Sequence, residues 1–74
     1  MTQVCILIKT IPTRIEKTLQ GVKEFKETLK AYVVFGRWDV AAFLEIEDYH
    51  DLKAITSKIN SMEGVRSTET LVEA

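Results

Sequence analysis

TLKAYVVFGRWDVAAFLEIE, Thr28–Glu47, decides the fold. Its first half alternates, with Leu29, Ala31, Val33 and Phe35 on one side and Tyr32 and Val34 on the other. That is the two-residue period of a β-strand. The alternation resumes after Asp39, with Val40, Ala42, Leu44 and Ile46 set against Ala41 and Phe43. Between the two runs lies Gly36-Arg37-Trp38-Asp39. A glycine supplies the positive φ that a tight connection needs, and an aspartate suits a turn. Two strands joined by so short a segment form an antiparallel hairpin.

Each strand of this hairpin is flanked by a helix and a further strand. Upstream, VCILIK, Val4–Lys9, is a short β-branched apolar run that suits a buried central strand. IPTRIE follows, where Pro12, Thr13 and Glu16 predict a capping box. Ile15, Leu19, Val22 and Phe25 then form one helical stripe, interrupted by Gly21, which either packs tightly or ends the helix early. Downstream, Glu47–Gly64 reads as a second helix. Asp48 is its N-cap, Leu52, Ile55, Ile59 and Met62 its buried stripe, and Gly64 its C-terminal stop. VRSTETLVEA, Val65–Ala74, closes the chain as a last strand.

The order is β-α-β-β-α-β, which predicts an α+β, ferredoxin-like fold: a four-stranded antiparallel sheet with both helices on one face. The first and third strands, apolar on both sides, belong in the centre. One domain is expected over residues 1–74.

The second sheet face has no helix to cover it, yet it carries Cys5, Leu7, Ala41 and Phe43. A chain of 74 residues has a marginal core, since a domain of this size buries only about 60% of its unfolded surface. An exposed apolar face is usually an interface. A homodimer packed sheet face to sheet face is therefore expected, as the unit of a larger ring.

Composition narrows the function. The net charge is −1 with no basic run, so direct DNA binding has no electrostatic footing. No apolar run approaches a membrane span, and the N-terminus carries no signal peptide, which reads as a soluble, cytoplasmic protein. One cysteine excludes an internal disulfide, and one histidine with one cysteine builds no His/Cys zinc site. No metal and no cofactor enter the reading. His50 reads as a solvated helix residue, Cys5 as a small buried hydrophobe, and Asp48 and Asp51 as acids that complement a helix dipole. No nucleophile and base stand at catalytic spacing, so no enzyme is expected.

Two places suit a ligand. One is Gly36-Arg37-Trp38-Asp39, and the other is Ser67-Thr68-Glu69-Thr70. Backbone N–H groups around a glycine turn hold a carboxylate, an aspartate pairs with an ammonium, and threonine hydroxyls donate and accept. Together they fit a small zwitterion.

These stretches carry a resemblance. The chain is similar to the effector-binding domain of the Lrp/AsnC transcriptional regulators, the RAM domain. That domain shows a glycine, two residues and an aspartate between its second and third strands, as at Gly36–Asp39 here. It ends in Gly-Val, two residues and Thr-x-Thr, as in Gly64-Val65 through Thr68-Glu69-Thr70. The resemblance implies dimers that assemble into octamers or similar rings, with a free amino acid bound between dimers. It implies effector contacts from Gly36, Arg37, Asp39, Thr68 and Thr70, with Trp38, where the family often has tyrosine, shielding the pocket. It also implies full-length relatives as partners. Those carry an N-terminal helix-turn-helix, whereas this sequence starts at the effector domain's first strand, as a stand-alone form or a piece of a longer chain.

Two other readings share the fold. A small enzyme of the dimeric α/β-barrel type would recruit a histidine or several polar groups to the open sheet face, which is nearly all apolar here. A ligand-free assembly module would need only that face.

Overall fold

A computed structural model describes residues 1–73. Strand β1, Thr2–Thr10, leads through a 3-10 turn, Pro12–Arg14, into helix α1, Ile15–Lys23. Strands β2, Thr28–Val33, and β3, Val40–Ile46, follow, then helix α2, Tyr49–Asn60, and strand β4, Val65–Val72. The four strands form one antiparallel sheet in the order β2-β3-β1-β4. This is the expected ferredoxin-like arrangement, with the two most apolar strands in the centre. Ala74, expected in the last strand, lies outside the described residues.

The core sits between the sheet and the helix layer. Val4, Ile6 and Ile8 of β1 and Val40, Ala42, Leu44 and Ile46 of β3 meet Leu19 and Val22 of α1 and Ile55 and Ile59 of α2. Ile15, Phe25, Leu52 and Met62, the other stripe residues, pack half-buried against this cluster. Gly21 holds a close approach: a Cβ there would stand 2.9 Å from Met62 Cε. Gly21 packs tightly, and α1 also ends soon after it, at Lys23, short of Phe25. α2 starts as expected, with Asp48 Oδ1 accepting the His50 N–H at 2.9 Å. Gly64 takes φ +91°, a conformation that favours glycine, with the Arg14 side chain lying across it.

Three expectations are corrected. The Thr13–Glu16 capping box does not form, because Pro12 opens a 3-10 turn and α1 begins only at Ile15, without a side-chain cap. β2 ends at Val33, so Phe35 leaves the sheet and stands 98% exposed. Leu29 does not share the core face with Ala31, because the register of β2 on β3 shifts between Thr28 and Lys30. Such a bulge re-aims one side chain. Leu29 is turned into the groove on the open face that also holds Phe43.

Among the described residues, no helix is long and apolar enough to cross a membrane.

Candidate functional site

The hairpin loop is built around Asp39. Its N–H donates to the Ile8 carbonyl at 2.9 Å, and its carbonyl accepts the Val34 N–H at 2.9 Å. Its carboxylate reaches back across the sheet, where Oδ2 accepts the Thr10 N–H at 3.0 Å and stands 3.5 Å from Lys9 Nζ. Thr10 is 2% exposed, so its N–H needs this acceptor. β1 bends here, with a register shift between Lys9 and Thr10 against β4. Asp39 thus ties the loop to the end of β1, a structural duty the sequence did not show.

Ahead of it, Gly36 takes φ +130° with open space around the position of a Cβ. Arg37 is exposed and Trp38 half-buried. The loop therefore projects an uncovered Phe35 and Arg37 from a base fastened by Asp39.

The second motif lies two strands away. Thr68 pairs with Ile8 and Thr70 with Ile6. Cross-strand partners share a face, so both threonines lie on the helix side of the sheet, half-buried. The Thr68 hydroxyl donates to Asn60 Oδ1 of α2 at 3.2 Å. Thr68 stands at the same end of the sheet as the hairpin loop, because Ile8 pairs with both Val40 and Thr68. β1 separates the two motifs, and three cavities on the surface, beside the open sheet face, between the helices and near Met1, are lined by residues of neither. Within one chain, Gly36–Asp39 stay together and Thr68 and Thr70 stay together, but the two groups do not meet in a pocket.

The open face carries what sequence reasoning placed only in part. Tyr32 and Phe43 stack with ring centroids 5.9 Å apart, and Lys30 Nζ lies 5.2 Å from the centre of the Phe43 ring. Beside them runs a groove of about 290 Å³ whose lining includes Cys5, Leu29, Phe43, Leu71, Val72 and Glu73. Leu29 and Leu71 are 59% and 49% exposed. Partial burial pushes the Cys5 thiol up from its ordinary value, away from the thiolate a nucleophile needs. His50 and Tyr49 are exposed on the first turn of α2. Among the described residues, no three His, Cys, Asp or Glu side chains are grouped to hold a metal ion.

Comparison with known proteins gives this geometry its relatives. The chain resembles TTHA0845 from Thermus thermophilus, with 28% identity and a TM-score of 0.95 over 100% of this chain and 94% of that one. It superposes on AsnC of E. coli with 20% identity and a TM-score of 0.85, covering 97% of this chain and 50% of that one. A transcriptional regulator of Neisseria meningitidis, NMB0573, solved as an L-Met complex, matches at 14% identity and a TM-score of 0.83, over 99% of this chain and 49% of that one. At those lower identities the likeness is one of fold, and the chain spans about half of either regulator. Among curated proteins, none matches. The family model of the Lrp/AsnC ligand binding domain matches residues 3–73, from the start of β1 to just past the end of β4, and the chain therefore belongs to the Lrp/AsnC ligand-binding domain family.

Proposed function

We propose that residues 1–74 act as one amino-acid-sensing and self-assembling unit of Lrp/AsnC-type transcription regulation, and not as an enzyme. The observation that carries this is the match of a ligand-binding family over nearly the whole fold. The L-Met complex of the Neisseria regulator supports an amino acid as the class of effector. The open apolar face supports assembly: a second copy laid on Phe43, Leu29 and Leu71 would bury what the helix layer leaves uncovered.

The effector site is assigned to Gly36, Arg37, Trp38 and Asp39 with Thr68 and Thr70. Since the two groups do not share a pocket within one chain, a site using both needs a second copy. Asp39 then has two duties, because its carboxylate already serves the Thr10 N–H. A ligand ammonium would compete with Lys9 for the same carboxylate, at 3.5 Å from the Lys9 ammonium.

Titration calorimetry with the most stabilising amino acid tests the site. Asp39→Asn leaves an oxygen for the Thr10 N–H but removes the charge that pairs with an ammonium. Affinity is expected to fall roughly ten- to a hundredfold, the worth of a charge-assisted hydrogen bond. Thr70→Val is expected to cost about 1 kcal/mol of binding. Equal affinity in wild type and both variants would place the effector elsewhere.

DNA contact is assigned to full-length relatives that co-assemble with this chain, given its net charge of −1. A sequence-specific gel shift by this chain alone at physiological salt would contradict that assignment.

A further inference from the structure

The layer of helices carries a cavity apart from the candidate site and the open sheet face. It runs between the start of α1 and the end of α2, has a volume of about 310 Å³, and is lined by Arg14, Lys17, Thr18, Gly21, Met62 and Glu63. It shares no residue with the hairpin loop, the threonine pair or the open sheet face. We propose that this groove is a separate binding site for a small carboxylate with a short apolar tail.

The most specific feature is Thr18. It is 2% exposed and takes part in none of the side-chain hydrogen bonds among the described residues. No fully buried side-chain oxygen or nitrogen among those residues lacks a partner. The Thr18 hydroxyl therefore opens onto the groove, as a donor and acceptor with nothing of this chain to bond. A hydroxyl open to the groove offers a ligand oxygen a donor and a ligand donor an acceptor.

Around this hydroxyl the charges are unequal. Arg14 and Lys17 are cationic and Glu63 is anionic, which leaves the lining one positive charge in excess. Arg14 Nη2 is held by Glu63 Oε1 at 2.8 Å, and the Arg14 stem is packed on Gly64, so the guanidinium is positioned before any ligand arrives. Its remaining N–H groups stay available. Lys17 is exposed and enters no ion pair among the described residues. A monoanion accepting from Lys17, Arg14 and the Thr18 hydroxyl balances the excess.

The other end of the groove is apolar. Met62 fills the space beside Gly21, with Cε 2.9 Å from the position of a Gly21 Cβ, and its thioether side chain forms the apolar wall of the groove. A flexible thioether adapts to a short aliphatic tail. The carboxylate could belong to an α-amino acid, whose ammonium would meet Glu63, or to a deaminated acid, which would leave the Arg14–Glu63 pair intact.

Titrations of the whole chain followed by backbone amide NMR separate these cases, with isocaproate, its uncharged analogue isocaproamide, and L-leucine as probes. Isocaproate is expected to shift the amides of Thr18, Gly21 and Glu63 saturably at millimolar concentration, and isocaproamide is expected not to. Tighter binding of L-leucine than of isocaproate assigns the site to amino acids, and weaker binding assigns it to acids without an ammonium. Thr18→Val keeps the shape and deletes the hydroxyl, and is expected to weaken isocaproate about five- to tenfold. Lys17→Ala, at an exposed position that does not threaten folding, is expected to do the same. Asp39→Asn is expected to leave isocaproate binding unchanged, which separates this groove from the hairpin loop. Failure of isocaproate to shift those amides, equal shifts with isocaproamide, or undiminished binding in both Thr18→Val and Lys17→Ala would overturn the proposal.

Discussion

On the proposed face-to-face packing of two copies, Phe43→Lys is expected to take the dimer apart. Phe43 lies outside the buried core, stacked on Tyr32 with the Lys30 ammonium over its ring, on the sheet face without helices. In a two-fold dimer packed through that face, one substitution enters twice. Each buried lysine would cost several kcal/mol of desolvation, and here it would also stand against Lys30. A rise in the dimer dissociation constant of at least about a hundredfold follows, since roughly 1.4 kcal/mol is a factor of ten. Sedimentation velocity at micromolar protein checks it. Monomers, or unfolded chains if the core cannot stand alone, are the expected result. A variant that sediments like wild type would remove the open face from the assembly.

Leu44→Ala, one residue along the same strand, is expected to fail differently. Leu44 is 0% exposed and belongs to the cluster between sheet and helices, opposite Val4 and Thr28 in register. Emptying such a position costs about 2–5 kcal/mol. A core in a domain this small rarely supplies more than about 3–5 kcal/mol. The variant should therefore be largely unfolded at low concentration, with partial rescue as concentration rises and assembly adds stability. Urea unfolding followed by circular dichroism, at several protein concentrations, gives the shift. A midpoint unchanged from wild type would contradict the placement of the core. The two neighbouring substitutions thus report on opposite faces of one sheet.

Which features could be read in the sequence follows from the range of the interactions involved. β1 and β3 are apolar on both sides, which placed them at the centre, and the Asp48 cap needed only a helix start two residues away. Leu29 was misplaced because a bulge shifts the register, and alternation alone carries no sign of a bulge. The capping box at Thr13 and Glu16 failed because Pro12 starts a 3-10 turn, so the α-helix begins after Thr13. Asp39 was legible as a turn acid, but its acceptor role joins residues 29 positions apart and depends on how β1 bends. Thr68 and Thr70 alternate with Ser67 and Glu69, so nothing local showed that they face the helices. The Thr18 groove was invisible because its walls come from the two ends of the helix layer.

That this chain is an amino-acid effector domain is tested most directly by thermal unfolding of the wild type against the proteinogenic amino acids, each at millimolar concentration. A ligand at ten times its dissociation constant adds about 1.4 kcal/mol, which in a domain of this size raises the unfolding midpoint by roughly 6–11 °C. At least one amino acid is expected to give a saturable shift of that order, with L-methionine among those to be tried first. A midpoint that no amino acid moves would contradict the assignment.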